Sequence, residues 1–146
     1  MATIKEYLTQ DHRDCDEILA TMEQEASKEL SSAQSSCNQF CDAMEHHFQM
    51  EERVMFAEFE AKTGMTQGPT AMMRMEHDQM RSLLNDLKSA IADNNSEKFF
   101  GTSETLMIMI QQHNMKEEQM LYTMAQQHLS AESDRIVTMM DSMITQ

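Results

Sequence analysis

Residues 47–56 read HFQMEERVMF and residues 113–122 read HNMKEEQMLY, so His47-x3-Glu51 recurs as His113-x3-Glu117, 66 positions on. A second pair agrees at almost the same offset: LTQDH ends at His12 and MRMEH ends at His77, 65 positions later. Each half of the chain therefore supplies a lone His, followed 35 or 36 residues later by a His-x3-Glu. On a helix, residues i and i+4 share a face, with Cβ atoms roughly 5–6 Å apart. Each His-x3-Glu can thus aim a ring nitrogen and a carboxylate at one point.

Working outward from these repeats, four long segments carry apolar residues at helical spacing. The first runs from about Thr3 to Ser27, with Ile4, Leu8, Cys15, Leu19, Met22 and Ala26 on one stripe and His12 in its middle. The second runs from about Ala33 to Lys62, its stripe formed by Cys37, Phe40, Met44, Phe48, Met55 and Phe59, with Gly64 as the stop. Pro69 opens the third, where its missing N–H costs nothing, and Met73, His77, Met80, Leu84, Leu87 and Ile91 form the stripe. The run Asp93-Asn94-Asn95-Ser96 breaks the pattern and offers caps. The fourth helix spans about Ser96 to His128, with Phe99, Leu106, Ile110, His113, Glu117, Met120 and Met124 aligned. Beyond Ser130, Ile136, Met139, Met140 and Met143 mark a short amphipathic segment that packs on the bundle or on another subunit. Short connections between long helices favour antiparallel neighbours. The expected fold is all-α: an up-down-up-down antiparallel four-helix bundle with a short C-terminal helix, one domain over residues 1–146.

Bulk composition agrees. Three Gly, one Pro and no Trp among 146 residues suit a helical domain with one core. A formal net charge of −14 opposes binding to nucleic acid or to an anionic membrane. No stretch has the apolar length of a membrane span. The opening MATIKEYLTQDHRD turns charged at once and lacks the apolar segment of a signal peptide, which predicts a cytoplasmic protein. Three Cys, an odd number, do not suggest a disulfide scaffold.

A single His-x3-Glu is most often a solvated surface pair. Here both pairs lie inside the apolar stripe, where an unpaired carboxylate costs several kcal/mol or takes up a proton. A metal ion removes that difficulty. Mid-helix histidines on antiparallel neighbours fall at similar heights, so His12, His47, His77 and His113 should converge with Glu51 and Glu117 on two metals. Two His and one oxygen from each bridging Glu give each ion about four protein ligands. A mixed nitrogen and oxygen shell with an open position suits iron or manganese. The Glu-x-x-His motif of ferritin-like di-metal bundles is absent, as is H-E-x-x-H.

The segments LTQDHRD, HHFQMEERVMF, GPTAMMRMEHDQMR and HNMKEEQMLYTMA resemble the hemerythrin-like HHE cation-binding domain over nearly the whole chain. The resemblance implies a four-helix bundle around a non-haem di-iron centre, oxo- or hydroxo-bridged, with ligands His12, His47, Glu51, His77, His113 and Glu117. Two departures stand out. Oxygen-carrying hemerythrins have a second His four residues after the third-helix His, where this chain has Arg81. They also have Asp five residues after the fourth-helix His, where this chain has Glu118. The four-His set looks more like the branch linked to repair of iron–sulfur centres, which usually carries an extra N-terminal Cys-containing domain. The implied function is reaction with oxygen, peroxide or nitric oxide in stress response or iron-centre protection. Reversible binding or sensing, or iron donation and storage, are the alternatives, with a redox partner or a homodimer as possible company.

Other residues carry weaker signals. Cys15 reads as a small core thiol, with a redox role beside the centre as the alternative. Cys37 and Cys41 share a helix face, where a bridge is geometrically awkward. Tyr7 and Tyr122 either reach the metals, line an access path or sit at the core edge. His46 faces about 100° away from His47 on the helix, toward solvent. His128 lies near a helix end, where a cation is favoured.

Overall fold

The computed structural model describes residues 1–143. The described residues form a helical bundle without strands. α1 runs Ile4–Lys28 behind a reciprocal cap: Thr3 Oγ1 accepts from the Glu6 N–H, and Glu6 Oε1 accepts from the Thr3 N–H. Its buried residues are Ile4, Leu8, His12, Cys15, Leu19, Met22 and Ala26, the expected stripe. A 3₁₀ turn, Leu30–Ala33, leads into α2, Gln34–Met50.

The second long segment is not the single regular helix that the spacing suggests. α2 ends in a π-helical turn, Glu51–Met55, before α3, Phe56–Thr63, completes the segment. Gly64 then stops it at φ 75°, a left-handed conformation that costs Gly little. α4, Pro69–Ala92, starts on its proline, and α5, Ser96–Lys116, is capped by the Asn95 side chain accepting from the Lys98 N–H. A second π turn, Glu117–Leu121, separates α5 from α6, Tyr122–His128. The 3₁₀ turn Ser130–Glu132 precedes α7, Ser133–Asp141.

Both π turns begin at the repeated Glu, and each closes with an i+5 bond, from Phe56 N–H to Glu51 O and from Tyr122 N–H to Glu117 O. The wider turn moves the inward face along by about one residue. After Glu117 the buried positions are Leu121, Tyr122 and Ala125, while Met120, expected inside, is 60% exposed and Met124 is only half-buried. Two smaller corrections apply elsewhere. Ala90 is buried at the end of α4 where Ile91 was expected, and Met139 of α7 faces out while Ile136 and Met140 are buried. α7 packs on the bundle itself: Tyr7 donates to Asp141 at 2.9 Å and Arg135 pairs with Glu58.

The apolar interior falls into two clusters. One contains Cys15, Leu19, Phe40, Met44, Met80, Leu84, Leu106 and Ile110; the other contains Ile4, Leu8, Met50, Phe56, Met73, Leu121, Tyr122 and Ile136. Each fully buried large side chain among them contributes about 1.5–3 kcal/mol relative to exposure. Between the two clusters, along α1, α2, α4 and α5, lie His12, His47, His77 and His113. A polar layer is thus clamped by apolar packing on both sides.

Candidate metal centre

The four histidines and two glutamates are no more than 4% exposed. They form two groups, His12–His47–Glu51–Glu117 and Glu51–His77–His113–Glu117, in each of which one donor atom per residue lies within 4.8 Å of the others. Both glutamates belong to both groups. Each His Nε2 points inward: His12 Nε2 lies 3.0 Å from Glu117 Oε1, His47 Nε2 3.4 Å from Glu51 Oε1, His77 Nε2 3.0 Å from Glu51 Oε1, and His113 Nε2 3.2 Å from Glu117 Oε1.

The outward nitrogens are held in one consistent way. His12 Nδ1 donates to Glu118 at 2.7 Å, His47 Nδ1 to Asp11 at 2.7 Å, His77 Nδ1 to Glu52 at 2.6 Å and His113 Nδ1 to Glu76 at 2.7 Å. A carboxylate can only accept, so the proton sits on Nδ1 and the Nε2 lone pair of the neutral ring faces the interior. This arrangement orients a metal-binding imidazole and raises its basicity. Two of the four carboxylates are in turn anchored by cations. Arg81 lies 3.1 Å from Glu52, and Lys116 donates to Glu76.

Lone pairs of Nε2 facing carboxylate oxygens in a buried site repel unless a cation lies between them. Without a metal, protons take that place. Burial lowers the pKa of His77, but the Glu51 and Glu52 carboxylates beside its ring outweigh burial and raise it to about 9. Burial likewise opposes charge on His47, yet the Glu51 carboxylate and the Asp11 hydrogen bond carry its pKa well above the ordinary value. Glu51 is pushed up by burial and pulled further down by the charge of His47 and by the imidazoles of His47 and His77 beside it. Even so, Glu51 Oε1, His77 Nε2, His113 Nε2 and Glu117 Oε2 lack hydrogen-bond partners. Buried polar atoms left unsatisfied cost about 1–3 kcal/mol each. Four of them converging, two nitrogens and two oxygens, are what a divalent cation would satisfy, so the donor set fits a metal.

The family model for the hemerythrin HHE cation binding domain matches residues 3–125. The chain belongs to this family. Neither the curated proteins nor the solved structures provide a match. As an HHE domain, the chain is a metal-binding protein, and no helix among its described residues is long and apolar enough to cross a membrane.

Several residues weighed in the sequence lie elsewhere. His46 is half-buried and belongs to neither donor group. Arg81 belongs to neither donor group: besides its contact with Glu52, it donates to Glu45 twice at 2.9 Å and to Asp78 at 2.9 Å, with its guanidinium 5.1 Å above the Phe48 ring. Tyr7 is committed to Asp141 rather than to the centre, whereas the buried Tyr122 hydroxyl reaches it. Cys15, Cys37 and Cys41 are buried free thiols. Cys15 borders an enclosed space of about 10 Å³ beside His12, His47 and His113, and burial pushes its thiol pKa up to about 12, as for an inert core thiol. His128 meets the Phe59 ring edge-on at 5.8 Å.

Sequence reasoning missed the outer carboxylates Asp11, Glu52, Glu76 and Glu118. A signal existed. Asp11 and Glu76 each precede a lone His, and Glu52 and Glu118 each follow a repeated Glu, so these residues obey the same internal repeat.

Proposed function

We propose that His12, His47, Glu51, His77, His113 and Glu117 hold two iron ions, with Glu51 and Glu117 bridging them. We further propose that this centre reacts with oxygen, hydrogen peroxide or nitric oxide in stress response or iron-centre protection. One observation carries this reading: two four-donor sets share the same two fully buried carboxylates. Bound as a ferrous pair, the metals would supply electrons and open coordination positions to such a molecule. The chain's own part is to orient four imidazoles through outer carboxylates, exclude water by the apolar clusters, and admit only small species. The space of about 10 Å³ beside the histidines has room for roughly one water-sized molecule.

The same reading takes the chain as one up-down-up-down bundle, a single domain over residues 1–146, working in the cytoplasm. Support for the topology comes from the clusters. Along α1 and α4 the Cys15–Met80 cluster follows the His, and along α2 and α5 all its members but Phe48 precede the His, as expected when successive helices alternate in direction. Reversible binding of oxygen or nitric oxide is the second reading, favoured by the burial of all six donors. Deep burial of those donors weighs against rapid iron donation.

The outer carboxylates provide a first test. Glu52→Gln, Glu76→Gln, Glu118→Gln and Asp11→Asn are each expected to weaken iron binding by about 10–100-fold in chelator competition. His46→Ala should bind as wild type. If His46→Ala lost as much metal as His47→Ala, the assignment within the His46-His47 pair would be wrong.

Reactivity is tested by mixing the anaerobic ferrous protein separately with oxygen, peroxide and nitric oxide in a stopped-flow spectrometer. The expected result is rapid oxidation or nitric oxide capture, with no oxygenated spectrum that survives. A spectrum that persists for minutes in oxygen and reverses under vacuum would reject the reactive reading and establish reversible binding.

A further inference from the structure

The two donor sets differ by one oxygen atom. Tyr122 Oη lies 2.6 Å from Glu51 Oε2, 3.0 Å from Glu117 Oε1, 3.1 Å from His12 Nε2 and 3.3 Å from His47 Nε2. It therefore touches all four side chains of the first set. Adjacent donors around an ion with bonds of about 2.1 Å lie about 3 Å apart. The phenol oxygen stands at that spacing from each of the four, as a fifth donor of the same shell would.

The second set has no such atom. Phe56 occupies the matching place in the repeat, directly after the first π turn as Tyr122 is directly after the second. Its ring stacks on His77 at 5.7 Å and an interplanar angle of 14°, and it brings no oxygen. The unpartnered atoms of the centre belong to Glu51, His77, His113 and Glu117, whereas the inward nitrogens of His12 and His47 both meet Tyr122, and that of His12 meets Glu117 as well.

We propose that Tyr122 is a ligand of the metal held by His12 and His47, which makes the two metals chemically unequal. The inference rests on the di-iron reading and deepens it. The first metal takes His12, His47, Tyr122 and one oxygen from each Glu. The second takes His77, His113 and one oxygen from each Glu, and keeps the open position for the incoming molecule. Ligation breaks the Oη–H bond, forms an oxygen–iron bond and releases the proton to water, with no change of oxidation state. Position 81 strengthens the assignment of the open side. A His there would lie one helical turn beyond His77 and serve the second metal, but Arg81 is paired outward with Glu45 and Asp78.

The test is visible absorption and resonance Raman spectroscopy of the ferric, iron-loaded full chain, with iron counted on the same samples. Wild type should show a phenolate-to-ferric charge-transfer band with enhanced phenolate ring modes. Tyr122→Phe should lose them completely. Because the chain has only two Tyr, Tyr7→Phe provides an independent arm that does not depend on how Tyr122→Phe folds: its phenolate modes should equal those of wild type. Two irons per wild-type chain without phenolate modes would overturn this inference alone and leave Tyr122 as a hydrogen-bond donor. Modes that vanish in Tyr7→Phe or survive in a folded Tyr122→Phe would overturn it as well. Fewer than two irons in wild type would overturn the di-iron reading beneath it.

Discussion

Glu51→Ala and Glu117→Ala are each expected to lose both iron ions, not one. Each carboxylate belongs to both donor groups, so a single truncation removes a ligand from both metals and leaves the two ions without one of their bridges. His12→Ala and His47→Ala touch only the first group, and His77→Ala and His113→Ala only the second. Those four variants should therefore retain iron at the intact position, with weaker binding. The contrast is read by elemental analysis after desalting, with circular dichroism to confirm that each variant is helical. A Glu51→Ala protein that still holds two irons would remove Glu51 from the ligand set. Equal loss in the Glu and His variants would mean that the two positions bind only as a unit.

Removing the metal should cost the protein much of its stability. A ligand present at 100 times its Kd stabilises the folded state by about 2.7 kcal/mol. At roughly 2–4 °C per kcal/mol for a domain of this size, chelation should lower the Tm by roughly 5–11 °C. Tighter binding would enlarge the shift. The physical cause lies in the layer between the apolar clusters. Without a cation, His47, His77 and the fully buried Glu51 remain charged against their own desolvation, and four polar atoms there stay unsatisfied. The shift should be absent in Glu51→Ala, which has little metal to lose. Chelated and loaded wild-type protein melting at the same temperature would contradict a metal-bearing centre.

Much of this could be read directly from the chain. The stripe Ile4–Leu8–His12–Cys15–Leu19–Met22–Ala26 is buried as its periodicity predicts, because a helix packed on one side must bury one face. The repeat of His47-x3-Glu51 in His113-x3-Glu117 marked the six interior polar residues, since carboxylates and imidazoles inside an apolar stripe need a compensating partner. Gly64 and Pro69 act where their backbone preferences place them. Local chemistry is sufficient for each of these features.

Other features depend on how the helices meet. The π turns at Glu51 and Glu117 add a residue that periodicity counting does not include, so Met120 faces out and Tyr122 turns in. The pairing of His12 with Glu118 and of His77 with Glu52 joins residues 106 and 25 positions apart, and no spacing within one helix reveals it. Asp11, Glu52, Glu76 and Glu118 look like ordinary solvated acids until packing places an imidazole within hydrogen-bond reach of each. Phe56 and Tyr122 hold matching places in the repeat, five residues after Glu51 and Glu117. Only the assembled interior separates them, because a hydroxyl counts as a donor only when the side chains around it supply the rest of a shell.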